Sequence, residues 1–302
     1  MASPSSPKRI LILGGSGGLG QTLLNQWSNT HECLAPGRSL VDLATPDSLE
    51  RSLSGFDFDA IINCAALARP DDCEDQPELA VKINSDSPAQ LARLAADRNV
   101  PFFQISTDQV FGGEGSAPLT EEDPAEPINT YGQTKRAAER AILERNPTAC
   151  IARVSWLFGR FKRSHPDHVI DRALSEPRLT AVSDKWSIPT HQADLARWVR
   201  VLLEPSSSLS GIVHLAPTGA ASWLDWTEAT LEIARELGLP IVAEYVDPVP
   251  LSSFPSLRAK RPRYTVLSNE RFSQSIETPI PDWRDGLRDY LTQQYGCRMT
   301  GE

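Results

Sequence analysis

Strand-like and helix-like segments alternate along the first two-thirds of the chain, and that rhythm leaves few folds open. RILILG (9–14), FDAIINCAA (58–66), PFFQIST (101–107), TACIARVSWLFG (148–159) and GIVHLA (211–216) are short apolar runs of the kind buried on both faces of a sheet. HECLAP (31–36) adds a shorter run, stopped by Pro36-Gly37. Helical patterns fall between them. From Gly18 to about Ser28, Leu19, Leu23, Leu24 and Trp27 share one face; after residue 45, Thr45 is placed to cap and Pro46 suits a first turn. Further helices are expected over 76–99, 130–146 and 193–204. Strand then helix, repeated, implies parallel strands joined by right-handed crossovers. The expected fold class is therefore α/β, a doubly wound parallel sheet of Rossmann type.

The rhythm changes after about residue 220. Ser222 and Asp225 form a capping-box-like start to a helix that ends at Gly238, a proline-rich stretch covers 246–263, and a last helix lies near DWRDGLRDYLTQQY. These segments read as a smaller lobe. The expected division is a dinucleotide-binding domain of 8–160 plus about 188–220, and a substrate lobe of about 161–187 plus 221–302. A chain of 302 residues with 40% hydrophobic content can bury cores of this size. Its net charge of −9 disfavours nucleic acid as a partner. Cys33, Cys64, Cys73, Cys150 and Cys297 are scattered with no C-x-x-C pair, and His165 and His168 lie in a polar, Arg-rich stretch. Neither a disulfide framework nor a metal site is expected. The polar start MASPSSPKR lacks the apolar segment of a signal peptide, and no run approaches a membrane span, so a cytoplasmic protein is expected.

Gly14, Gly17 and Gly20 stand three apart between the first strand and the first helix. That is where a pyrophosphate needs a tight turn, open backbone N–H groups and a helix N-terminus. The same letters, Gly14-Gly15-Ser16-Gly17-Gly18, also satisfy the G-x-S-x-G of a nucleophile elbow, and a plain structural turn is a third reading. The elbow would fall on the first strand, and no HGGG-type oxyanion loop accompanies it. After the second strand, Arg38 is a candidate clamp for a 2′-phosphate, favouring NADPH, while Asp42-Leu43 is expected near the adenine. An exposed surface arginine is the alternative.

Tyr131 and Lys135, in YGQTK, lie four apart at the start of a helix and share a face. A phenol titrates near ~10, and a neighbouring ammonium is expected to lower that value. So paired, Tyr131 is placed to protonate a carbonyl oxygen while hydride reaches the carbon, with Lys135 on the nicotinamide ribose. The fourth strand ends in ISTD, where ligands of an open parallel sheet sit, so Ser106 or Thr107 is expected to bond the same carbonyl.

Taken in order, G-x-x-G-x-x-G, NCAA, STD-x-VF, YGQTK, RVSWLFG, the RP at 261 and PDW-x-x-G resemble the extended short-chain dehydrogenase/reductases, and within them the dTDP-4-dehydrorhamnose reductase group. The similarity runs from about residue 8 to 292. It implies a reductase of a 4-keto sugar nucleotide that uses NADPH (or NADH). It places the catalytic triad at Thr107, Tyr131 and Lys135. Gly17, Gly18, Leu19, Asp42, Leu43, Ala65 and Ala66 fall at cofactor positions, and Thr107, Asp108 and Trp156 at sugar-nucleotide positions. Three departures lie near the expected substrate pocket: Gln109 where the family usually has tyrosine, Leu67 where it often has histidine, and Lys185-Trp186-Ser187 in place of Gln-x-Gly before Pro189.

Arg261, with Arg258, Lys260 and Arg263, forms a basic cluster suited to a nucleotide diphosphate; a solvated loop is the alternative. Trp186, Trp223 and Trp226 are candidates for stacking, with core packing favoured for the last two. A nucleotide sugar is the expected partner, with no membrane, and a homodimer is left open. A second functional class also stays open. ARPDDCEDQP (68–77) and the RPR at 261–263 resemble a non-catalytic member of the same family, an NADP-binding subunit that regulates methionine adenosyltransferase.

Overall fold

A computed structural model describes residues 7–204 and 209–296. Cys297 and the first six residues of the polar tail lie outside them. Six parallel strands form the central sheet in the order β6-β5-β4-β3-β1-β2. They are β1 (Arg9–Leu13), β2 (Glu32–Leu34), β3 (Ala60–Asn63), β4 (Phe102–Thr107), β5 (Cys150–Val154) and β6 (Gly211–His214). The main helices are α1 (Gly18–Trp27), α2 (Ser87–Asp97), α3 (Thr130–Arg145), α4 (His165–Ala173), α5 (Gln192–Leu202), α6 (Trp223–Glu236) and α7 (Trp283–Tyr295). This is the expected doubly wound α/β fold. The order reverses between β1 and β3, and a crevice at that switch point is the expected place for a ligand.

The two-residue period of a strand explains the double cover. Ile10 and Ile12 join one core with Leu23, Trp27 and Val199, which belong to α1 and α5. Leu11 and Leu13, pointing the other way, join a second core with Leu91, Ala95 and Ile142 of α2 and α3. Each such side chain, fully buried, contributes about 1.5–3 kcal/mol. A third core joins Phe111 and Phe158 to Trp226, Trp283 and Leu287.

Several local expectations differ from the structure. The run over 45–53 is a tight 3-10 turn, Pro46–Ser48, followed by a short helix, and the Thr45 side chain bonds Ser48 rather than capping a backbone amide. The 76–99 segment is broken by a wide π turn over Lys82–Asp86. The apolar run at 148–159 splits into β5 and a two-residue strand, Leu157–Phe158, that pairs with Thr190–His191. At the start of the proline-rich stretch, Tyr245–Val249 pairs in parallel with Arg178–Val182, and the two strands stand alone as a ladder. Pro248 is tolerated there because an edge strand can leave one side unpaired. The Ser222/Asp225 capping box is present, and Gly238 closes α6 with φ +78°.

Candidate active site

The glycine turn follows directly from where the chain must pass. β1 ends beside β3, and Gly14 takes φ +82°, with its Cα so near Ala65 that a Cβ would sit 2.7 Å from the Ala65 nitrogen. At Gly20 a Cβ would overlap the Gly14 carbonyl oxygen. Only glycine fits either place. α1 then begins at Gly18 with no side-chain cap at Gly17 and no acidic residue in its first turn. Its first N–H groups are left to a partner, and an anion suits them. A cavity of about 370 Å³ opens here, lined by Gly14–Gly17, by Arg38, Asp42 and Leu43 after β2, and by Ala65 and Ala66 after β3. Arg38 and Asp42 pair across its rim, Nε to Oδ1 at 3.2 Å, and Asp42 also accepts from the Ala44 amide. An arginine with exposed Nη groups, an uncapped helix start and a cradle that tolerates no Cβ fit a dinucleotide. Gly20→Ala is expected to raise the NADPH dissociation constant at least tenfold, because the turn must open to admit the methyl; titration of cofactor fluorescence reads it.

A second cavity of about 330 Å³ shares Cys64 and Ala66 with the first and continues along the C-terminal strand ends. It holds Leu19, Thr107, Asp108, Tyr131, Lys135 and Trp156. Ser106 lines it as well, but its hydroxyl donates to buried Glu139 at 2.7 Å. Of the two expected candidates, Thr107 is the one whose side chain meets the phenol: a Thr107–Tyr131 hydrogen bond works to lower the Tyr131 pKa. α3 presents Tyr131 and Lys135 from its first two turns because Asn129 caps it, accepting from the Gly132 amide at 2.8 Å.

The electrostatics differ from the sequence expectation. Burial pushes the Tyr131 phenol above its ordinary value, and nearby Asp108 adds to this against Thr107. Burial likewise pushes Lys135 down to about 8, opposed by Glu139, and its ammonium donates to the Ile105 carbonyl at 2.6 Å. The chain therefore keeps the phenol protonated rather than lowering its pKa, and the protonated form is the one a donor needs.

The remaining expected residues divide. Trp156 lines the cavity. Asp108 is 2% exposed, and its carboxylate accepts from Thr107, Ser187 and Thr265. Arg261 is held by Asp71 at 3.0 Å and by the Ala259 carbonyl. Arg258 pairs with Asp75 and Arg263 with Asp184, so these three arginines already have acidic partners. Trp226 is buried and Trp223 partly so, while Trp186 is exposed. Sequence reasoning missed Asn84. It sits in the π turn, accepts from the Leu67 amide at 2.8 Å and donates to the Leu67 carbonyl and to Thr134. It thus ties the loop after β3 to α3. A polar residue inside a helical pattern, in KINSD, is the signal that marks it, and π turns often occur at functional sites.

Comparison with known proteins agrees with this fold. The family model described as RmlD substrate binding domain matches residues 8–295. A dTDP-4-dehydrorhamnose reductase of Mycolicibacterium smegmatis is 33% identical, covering 97% of this chain and 88% of its own length. That of Escherichia coli is 29% identical, covering 95% and 98%. Among solved structures, a dTDP-4-dehydrorhamnose reductase from Clostridium acetobutylicum superposes with TM-score 0.88 at 30% identity over 95% of this chain and 99% of that one. The Bacillus anthracis dTDP-4-dehydrorhamnose reductase, solved in complex with NADP, gives TM-score 0.88 at 26% identity over the same shares. The chain belongs to the RmlD substrate-binding-domain family, and with it to the dTDP-4-dehydrorhamnose reductase-like group of extended short-chain dehydrogenase/reductases.

Proposed function

We propose that the protein is an NAD(P)H-dependent reductase of a 4-keto nucleotide sugar, of the dTDP-4-dehydrorhamnose reductase type. One observation carries this: the Tyr131 phenol, the Thr107 hydroxyl and the Lys135 amine line one cavity, which shares Cys64 and Ala66 with the glycine-turn cavity. Residues 8–160 and about 188–220 hold the dinucleotide, and the lobe of about 161–187 and 221–302 holds the nucleotide sugar. Reduced nicotinamide, when bound, supplies a hydride to C4 of the sugar. Tyr131 gives its proton to the C4 oxygen, and Thr107 bonds and orients that oxygen. Lys135 holds the ribose on the cofactor side and keeps positive charge beside the phenol as it ionises. Gly14, Gly17, Gly18 and Gly20 form the turn that takes the pyrophosphate, and Leu19 meets the cofactor from the reaction cavity; Asp42, Leu43, Ala65 and Ala66 take the adenosine end. Thr107, Asp108 and Trp156 contact the sugar nucleotide from the cavity, and Arg261, held by Asp71, is assigned to its diphosphate.

Arg38 takes the 2′-phosphate of NADPH, steadied through its Nε by Asp42. Arg38→Ala is expected to weaken NADPH binding about tenfold and to leave NADH binding within twofold. Equal losses for both cofactors in titration would assign Arg38 another role. No helix among the described residues is long and apolar enough to cross a membrane.

The test is NADPH consumption at 340 nm with 4-keto nucleotide sugars that differ in base and sugar. The reading expects turnover, fastest with dTDP-4-dehydrorhamnose. A specific contact favours the second reading, a regulatory subunit: Asp71 and Arg261 join the two segments that resemble the non-catalytic relative. NADPH binding without consumption across the whole panel would support that alternative.

A further inference from the structure

We propose that Lys185 is a positioning residue for the substrate. Its ammonium fixes the Trp156 indole at the reaction cavity and ties it to the strap of residues 258–265, so the charge on Lys185 sets the affinity for the nucleotide sugar. This rests on the functional reading above.

Lys185 is 2% exposed, a costly place for a charge unless it is well compensated. Its Nζ donates to the Pro262 carbonyl at 2.6 Å and lies 5.6 Å from the Trp156 ring centroid. Both contacts suit an ammonium: the carbonyl takes one of its three donors, and the indole face attracts the charge. Burial pushes the Lys185 pKa down to about 8, Asp108 opposes this, and Arg261 adds to it. The neighbouring backbone makes the tie double. Trp186 donates to the Arg263 carbonyl at 2.6 Å, and the Thr265 amide donates to the Trp186 carbonyl at 2.9 Å.

Trp156 needs such holding. Its φ is +41°, a region that bulky residues rarely occupy, so packing rather than relaxed backbone aims the indole. It stacks on Trp226 with planes 8° apart and ring centroids 5.5 Å apart. The same indole shares the reaction cavity with Thr107 and Tyr131. A change at Lys185 therefore reaches the substrate through Trp156, while the glycine-turn cavity is lined by other residues.

Lys185→Met removes charge and donor; Lys185→Gln removes the charge and keeps a donor for Pro262. Each is compared with wild type, with Trp156→Phe and with the corresponding double variant. The assays are dTDP-rhamnose binding by calorimetry, steady-state kinetics in both directions, NADPH binding, and the Trp156 emission obtained by subtracting the Trp156→Phe spectrum. Lys185→Met is expected to raise KM and the dTDP-rhamnose Kd about tenfold, with kcat within threefold and NADPH Kd within twofold. Lys185→Gln should fall with Lys185→Met, and the effect should shrink in the Trp156→Phe background, whose smaller ring offers the ammonium a weaker face. Unchanged substrate affinity, or an equal loss with and without Trp156, would overturn the proposal. A wild type that neither turns over nor binds the sugar nucleotide would sink the functional reading and with it the substrate role given to Lys185. The emission would still show whether Lys185 holds Trp156, because Lys185→Met must shift the Trp156 spectrum.

Discussion

Tyr131→Phe lowers kcat about 100- to 10,000-fold and leaves the NADPH dissociation constant within twofold, the range expected when a positioned proton donor is removed. The substitution deletes one oxygen from a ring that is 8% exposed, so the packing against Cys73 and Leu67 is kept. Lys135 keeps its bond to the Ile105 carbonyl, and the glycine turn is untouched. The loss should therefore appear in kcat and hardly in cofactor binding. Steady-state kinetics with fluorescence titration checks both. A variant retaining more than a tenth of wild-type kcat would remove Tyr131 from the proton-donor role.

Glu139→Gln and Glu139→Ala are expected to destabilise the protein by about 3–5 kcal/mol, the cost of leaving a buried charge without its partner. Glu139 is fully buried. It accepts from Arg153 through Nε at 2.9 Å and Nη2 at 2.8 Å, from Arg136 at 3.0 Å and from Ser106 at 2.7 Å. Arg153 is 1% exposed and lies over the Phe111 ring. Without Glu139 its guanidinium would lack an acidic partner in the core. Burial alone would raise the Glu139 pKa, but Arg153, Ser106 and Arg136 outweigh it and hold the carboxyl below its ordinary range. The sign follows: this stability is present above the unfolded-state value near ~4.3 and is lost as pH falls through the lower folded-state value. Thermal melts should show a drop of several degrees at pH 7 for both variants, with the gap to wild type narrowing in acid. A melting temperature within one degree of wild type at pH 7 would contradict the account. Glu139 also favours the charged form of buried Lys135, so turnover should fall as well.

What could be read from the sequence was local. The glycine turn and the Tyr131/Lys135 pair depend on spacings of three and four residues, and helix and turn geometry convert those spacings directly into shape. The alternation of Ile10 and Ile12 with Leu11 and Leu13 likewise announced a sheet covered on both sides. What escaped depended on partners far along the chain. Ser106 and Thr107 are equivalent candidates until Glu139, 33 residues away, claims the serine. The arginines near 261 look free until Asp71, Asp75 and Asp184 meet them. The lowered phenol pKa was expected from Lys135 alone, but burial dominates at Tyr131. The strand at Tyr245–Val249 was hidden because Pro248 and Pro250 argue against a ladder, while its partner at Arg178–Val182 supplies the pairing.

Transfer of deuterium tests the central claim most directly. The protein is supplied with NADPH deuterated at the transferable position and with dTDP-4-dehydrorhamnose, and the product is read by NMR and mass spectrometry. The account predicts one deuterium, at C4 of the reduced sugar, in stoichiometric match with cofactor consumed. Consumption with deuterium at another carbon, or a sugar left unreduced while the cofactor stays bound, would contradict it.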